Sequence, residues 1–291
     1  MLEQPATRLR LRGVDHTARP TWKLRETVEF YRDKLGLPLV HVISARGWGP
    51  ATHPDFLHFF FDSGNGSTIA FFYYLGSEQP EALVGRASMP PLPDDHVFDA
   101  THTAWLVDSE EELKGWKRRL EAEGLTVSVE TTHEVIESIY VRDPNGYFVE
   151  ITRKLRPLNA IDSTDAALTL RAALDAEDAA STEGRRVVAI DEVWARKSTL
   201  LNPDGGNAAA VSIFVPRLEE FASLTRAARG RDDCTVTALD THDRIDAAGP
   251  VEFQRRALGL KPAVWYGLFT GGICGRIEIF DRDRVVIAPA A

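Results

Sequence analysis

The stretch TTHEVIESIYVRDPNGYFVEITR, residues 131–153, decides the fold of the N-terminal half of the chain. It contains two strand-like runs, SIYVRD (138–143) and YFVEITR (147–153), joined at Asp143-Pro144-Asn145-Gly146. In the second run Tyr147, Val149 and Ile151 alternate with Phe148 and Glu150, the period of a pleated strand. Pro, Asn and Gly between two such runs signal a tight hairpin. Upstream, TVSVET (126–131) reads as another strand. Before it, EELKGWKRRLEAEG (111–124) reads as a helix with an apolar stripe of Leu113, Trp116 and Leu120. Asp108 and Glu111 supply a capping box for that helix, and Gly124 its end. HTAWLV (102–107) is a strand that opens on His102. The order is β-α-β-β-β.

The same order precedes it. An extended segment from Leu9 to Asp15 leads to His16, and WKLRETVEFYRDKLG forms a helix from Trp22. Leu24, Val28, Tyr31 and Leu35 make its stripe, with Gly36 at its end. Strands follow at PLVHVISA (38–45), FLHFFFDS (56–63) and STIAFFYYL (67–75), the last two joined by Ser-Gly-Asn-Gly. His16 and His102 lie 86 residues apart, Gly36 and Gly124 lie 88 apart, and Asn65-Gly66 and Asn145-Gly146 lie 80 apart. A repeated β-α-β-β-β unit is therefore expected, with copies at 8–75 and 98–153. The Pro-rich GRASMPPLPDDHVF (85–98) would link them.

Beyond Arg156 the composition changes. Residues 156–186 read as a linker and an alanine-rich helix, and 187–291 as a separate α+β domain of unknown role. In that domain strands are expected at 209–215, 234–239, 263–269 and 275–280, and helices at 216–229 and 251–258. Its histidine, His242, is expected in a solvated loop.

A net charge of −9 argues against nucleic-acid or anionic-membrane partners, which need a basic surface. Two cysteines, Cys234 and Cys274, imply no disulfide framework. No run approaches the ~18 apolar residues of a membrane span, and MLEQPATRLRLRG is not a secretion signal. A cytoplasmic protein is expected.

The chemistry-bearing residues fall at symmetric places. His16 and His102 stand at the first strand of each copy, and Glu150 in the last strand of the second. Two imidazoles and one carboxylate on rigid strands are a set that holds a divalent metal and leaves positions open for substrate oxygens. A Glu flanked by Val149 and Ile151 on a half-buried strand needs a partner, which a metal would provide.

FYRDKLGL (30–37), the paired histidines and DPNGYFVEI (143–151) resemble the vicinal-oxygen-chelate superfamily of glyoxalases, bleomycin-resistance proteins and dioxygenases. The resemblance covers residues 8–155 and implies a metal-binding domain over 1–155. Its fold would be α+β, with paired βαβββ units whose curved sheets form a half-open barrel and a further C-terminal α+β domain beside it. From Thr131 to Glu150 the chain also resembles the ring-cleavage signature of type I extradiol dioxygenases, through Thr131, His133, Ile139, Tyr140, Asp143, Pro144, Gly146 and Glu150.

That resemblance implies His16, His102 and Glu150 as ligands of Fe(II), with Mn(II), Zn(II) or Ni(II) also compatible. It implies His133 and Tyr140 as catalytic groups acting on a small aromatic, catechol-like substrate with O2. The nearby aromatics Phe59, Phe60, Phe61, Phe71, Phe72, Tyr73, Tyr74 and Phe148 suggest an apolar, aromatic substrate, although strand alternation would send half of them into the core. A homodimer is compatible with the resemblance. Alignment of the two Asn-Gly pairs sets Ala70 opposite Glu150, where glyoxalases carry a fourth ligand, so the resemblance favours an open, three-ligand site. Against this, Ser67 stands where extradiol enzymes carry an acid–base histidine, with His58 and His96 as candidate substitutes. Two other readings remain: a glyoxalase-type isomerase or lyase that does not use O2, and a resistance or binding protein that sequesters a ligand.

Overall fold

The computed structural model describes residues 14–46, 53–79, 102–203 and 211–290. The expected linker at 85–98, including His96, lies outside the described residues, as does the start of the segment expected to be extended from Leu9. The chain divides into two compact units, residues 1–130 with 138–153, and residues 131–137 with 154–291.

In the first unit β1 (His16–Thr21) leads into a helix whose first part, α1, is Leu24–Val28. Its continuation, Glu29–Lys34, winds wider, with i→i+5 bonds such as Leu35 N–H to Phe30 O. Thr27, Phe30, Tyr31 and Leu35 are buried, so the inward face is turned from the simple stripe the spacing implies, with Leu24 and Val28 at its margin. β2 (Leu39–Ala45), β3 (Phe56–Gly64) and β4 (Ser67–Tyr74) complete the copy. Asn65 and Gly66 both take positive φ, as a two-residue hairpin turn requires. The sheet order is β1-β4-β3-β2, with β1 parallel to β4 and the other pairs antiparallel. The first strand thus begins at His16 rather than ending before it. Its sequence, HTARPT, lacks apolar alternation, and pairing with a strand some fifty residues downstream defines it.

The second copy repeats this plan with β5 (His102–Val107), α2 (Glu110–Ala122), β7 (Ile136–Arg142) and β8 (Phe148–Lys154). Its helix is capped one residue later than expected. Ser109 is the N-cap and accepts from Glu112 N–H, while the Glu112 carboxylate accepts from Asp108 N–H. The run expected as a strand at 126–131 is not assigned as one up to Glu130; Ser128 bonds to β7, its N–H donating to Tyr140 O and its hydroxyl accepting from Tyr140 N–H. The two-residue β6 (Thr131–Thr132) precedes the bond from His133 N–H to Ile136 O at the start of β7, and the sheet order is β5-β8-β7-β6.

Both copies close over one core, in which Tyr31, Phe61 and Phe71 meet Leu113, Val141 and Val149. The D-P-N-G turn is its fastener. Asp143, 1% exposed, accepts from the Tyr31 hydroxyl at 3.0 Å and from the N–H groups of Asn145 and Tyr147 at 2.9 Å each. The Asn145 side chain joins Thr21 and Thr27 of the first copy. Residues that look like a site signature are thus cement between the copies.

The second unit contains α3 (Ala160–Thr182), capped by the Asn159–Asp162 box, and α4 (Ile190–Leu201). β9 (Val211–Pro216), a 3-10 turn and α5 (Ala222–Arg229) follow, then β10 (Cys234–Ala238) and β11 (His242–Ala247). Next come β12 (Val251–Gln254), α6 (Arg255–Leu258) and α7 (Pro262–Tyr266). The chain ends in β13 (Ile273–Cys274), β14 (Arg276–Phe280) and β15 (Arg284–Ala288). One sheet has the order β10-β11-β9-β13 and the other β12-β15-β14, all pairs antiparallel. Here the strand before the helix, β9, pairs antiparallel with β11, unlike the parallel pairing of the first and last strands in the N-terminal copies.

Two expected elements change type. AVWYGLF (263–269), expected as a strand, opens as α7, because Pro262 starts a helix and Trp265, fully buried, anchors it by donating to Asp281 O. VEFQ, expected as helix, is β12, paired with β15. His242 is fully buried in β11, not solvated. Its Nε2 lies 2.8 Å from Asp165 Oδ1, which also accepts from Lys197 Nζ.

The whole is a mixed α+β protein, consistent with two βαβββ units and a further C-terminal domain. Every sheet described is open, and none closes into a barrel. Among the described residues no helix is long and apolar enough to cross a membrane.

Candidate functional site

The parallel registers place the two copies in correspondence. His16 pairs with Thr68 and Ala18 with Ala70; His102 pairs with Phe148 and Ala104 with Glu150. The two histidines open equivalent strands, and Ala70 occupies the position of Glu150. Two carbons fewer and no carboxylate make the first copy incapable of mirroring the second.

Glu150 is 2% exposed. A carboxylate that deep must be paired or hydrogen-bonded to remain charged. Its Oε1 accepts from the Ser138 hydroxyl at 2.5 Å, and His102 Nε2 stands 3.1 Å from Oε2. Tyr140 completes the group. Its ring meets His102 and Phe148 edge-on at 6.5 and 6.0 Å between centroids, and its hydroxyl is within hydrogen-bonding reach of Ser138 and Glu150. Burial, and then the Glu150 charge, push the phenol up to about 12, so it holds its proton throughout the neutral range.

Ser138 is the member that sequence reading missed. The signal was present: two residues before Tyr140 on one strand, it shares Tyr140's face.

His16 stands apart from this cluster. Its Nδ1 lies 2.8 Å from Asp15 Oδ1, and its ring meets Phe60 at 5.8 Å and His58 at 6.4 Å. Among the described residues no three His, Cys, Asp or Glu side chains converge as a metal site. The structure therefore brings together two of the three expected ligands, His102 and Glu150. The donor chemistry nonetheless suits a divalent cation. A buried carboxylate is held by a hydroxyl, one imidazole touches it, and a second imidazole is oriented through Nδ1 by a carboxylate, the usual support of a ligating histidine.

The aromatics of β3 and β4 divide between two faces. Phe59, Phe61 and Phe71 enter the core, whereas Phe60 and Phe72 lie on the face of His58. His58 is 6% exposed, neither ring nitrogen has a hydrogen-bond partner among the described residues, and the ring stacks on Phe72 at 3.7 Å. Burial, with the neighbouring His16 and His41, pushes its pKa below the ordinary value. Ser67 is engaged locally, 2.9 Å from the Ser63 hydroxyl and donating to Gly64 O.

His133 belongs to the second unit. There it lines a cavity of about 290 Å³ with Glu134, Arg156, Glu220 and Lys261.

Residues 13–151 match the family model of the Glyoxalase/Bleomycin resistance protein/Dioxygenase superfamily. Among solved structures, the chain is similar to lactoylglutathione lyase from Agrobacterium tumefaciens, at 23% identity over 50% of this chain and 95% of that one, with a TM-score of 0.34. A glyoxalase/dioxygenase from Nostoc punctiforme matches at 18% identity over 50% and 92%, with a TM-score of 0.36. A glyoxylase/bleomycin resistance protein/dioxygenase domain from Frankia sp. EAN1pec matches at 19% identity over 51% and 96%, with a TM-score of 0.36. No curated protein matches the chain. The family match thus covers 13–151, the stretch that holds both βαβββ copies and the His102–Glu150 pair.

Proposed function

We propose that the first unit is a metal-dependent dioxygenase that cleaves a small, catechol-like aromatic with O2, with Fe(II) held by His102, Glu150 and His16. One observation carries the reading: buried Glu150, paired with the more exposed His102, has Tyr140 against it, while the equivalent strands of the first copy offer His16 and Ala70. Three donors leave coordination positions for two vicinal substrate oxygens and for O2, and Fe(II) bound there would supply the redox chemistry.

The chain's own residues do the rest. Ser138 fixes the Glu150 carboxylate, and Asp15 orients the His16 ring so that Nε2 is the donor nitrogen. Tyr140, protonated at neutral pH, donates a hydrogen bond to a substrate oxygen and stabilises charge that develops on it. Phe60 and Phe72 provide an apolar wall, and a half-open barrel formed by the two sheets would enclose the substrate. His133, by the same resemblance, would carry a proton.

The test is metal analysis of protein purified without oxygen, followed by O2 uptake with a panel of catechols. His102→Ala and Glu150→Gln should lose the metal. Tyr140→Phe should keep the metal and lower kcat by a factor of about 10²–10⁴ with KM little changed. Turnover that persists without O2 would sink the dioxygenase reading. It would favour an isomerase or lyase at the same residues, the alternative that Ser67 supports by standing, engaged with Ser63 and Gly64, where an acid–base histidine was expected.

A further inference from the structure

The two oxygens of Glu150 have different neighbours. Oε2 faces His102 Nε2 at 3.1 Å, whereas Oε1 accepts from the Ser138 hydroxyl at 2.5 Å. Donors at adjacent corners of an octahedral site, each about 2.1 Å from the ion, stand about 3 Å apart. The edge from Oε2 to Nε2 has that spacing, and Oε1 is already engaged. Ser138 is itself held. It is fully buried, and Thr152 Oγ1 lies 2.9 Å from its Oγ. Thr152 follows Glu150 by two residues on β8, so both side chains share one face of the strand.

The first copy is a natural control. At the 80-residue offset of the two Asn-Gly pairs, Ser138, Glu150 and Thr152 correspond to His58, Ala70 and Phe72. His58 and Phe72 are register partners whose rings stack at 3.7 Å. The copy without the carboxylate has an aromatic pair where the copy with it has two hydroxyls.

A carboxylate binds a metal through one oxygen or through both. With two histidines beside it, one-oxygen binding leaves three corners of an octahedron open, and two-oxygen binding leaves two. Two corners accept the vicinal oxygens of a substrate and have no place left for O2.

We infer that Ser138 and Thr152 are positioning residues that confine Glu150 to one-oxygen coordination through Oε2 and thereby keep the third corner open. The inference rests on the metal-centre reading above and adds what sets the number of open positions.

The test uses the full chain loaded with Co(II), whose visible absorption reports its coordination, with oxalate as a vicinal-oxygen probe and azide in the place of O2. In the wild type, saturating oxalate should leave azide affinity unchanged. Ser138→Ala should still bind Co(II), but there oxalate should weaken azide about tenfold or more, because the freed Oε1 takes the third corner. Thr152→Val, of the same shape without the hydroxyl, should show a smaller loss of the same kind, and Ser138→Thr, which keeps the hydroxyl, should behave as the wild type. The inference is overturned if oxalate and azide bind Ser138→Ala together as they bind the wild type, or if oxalate already excludes azide from the wild type. A wild type that takes up no Co(II) overturns the metal-centre reading itself, and this inference with it. Should Ser138→Ala fail to fold, Thr152→Val decides.

Discussion

Replacing His58 by phenylalanine should stabilise the first unit, and more so in acid. The imidazole is 6% exposed and carries one donor and one acceptor, and neither is met among the described residues. Leaving a buried polar group unsatisfied costs about 1–3 kcal/mol. Phenylalanine removes that cost, keeps the stack on Phe72 and adds a little volume between Phe60 and Phe72. A swap of nearly conserved volume costs less than about 1.5 kcal/mol. The expected net gain at pH 8 is about 1 kcal/mol, or roughly 2–4 °C in Tm for a domain of this size.

The pH dependence has a definite sign. Folding depresses the His58 pKa below its ordinary 6.5. Below 6.5 the unfolded chain takes up a proton that the folded chain refuses, so the wild type loses stability until the pH reaches the depressed folded value. The variant lacks this loss, and the gap in Tm between the two should widen from pH 8 to pH 5.5. Thermal unfolding followed by near-UV circular dichroism at both pH values measures it. A variant that melts below the wild type at pH 8, or a gap independent of pH, would refute the reasoning, because either result means the imidazole has a polar partner.

Asp143→Ala should lower stability by about 3 kcal/mol, measured by urea unfolding, since it strands the Tyr31 hydroxyl and two backbone N–H groups in the interior. Lys197→Met should cost about 3–5 kcal/mol, because Asp165 loses the ammonium of a fully buried lysine. The double change Lys197→Met, Asp165→Leu should recover part of that loss. His133→Gln should leave the metal content unchanged while lowering kcat and altering its pH profile. An unchanged profile would remove His133 from the proton path.

The hairpin of β7 and β8 was legible because both strands alternate and the turn between them is local. The copies were legible from the spacing of histidines, glycines and Asn-Gly pairs, which also set Ala70 against Glu150 before any register was known. What escaped depends on distant partners. His16–Thr21 has no strand pattern of its own and is a strand because β4 lies beside it. His242 looked like a loop residue because its carboxylate partner, Asp165, is 77 positions away. VEFQ and AVWY are short runs whose period fits either element, and tertiary pairing or a proline decided each. In the site, the residue types were readable and their convergence was not. Sequence symmetry treats His16 and His102 as equals, while only His102 touches Glu150, and Ser138 went unnoticed because serine on a strand carries no chemical flag.

The fastening of Asp143 to Tyr31 spans 112 residues of chain. A contact of that separation sets the order of folding events. The helix of the first copy cannot satisfy its buried hydroxyl until the last hairpin of the second has formed, so neither copy completes its interior alone. The pair should behave as one cooperative unit of high contact order, slow to fold and all-or-none in unfolding. A chain cut between the copies should yield two fragments that are each incompletely folded and that complement one another when mixed.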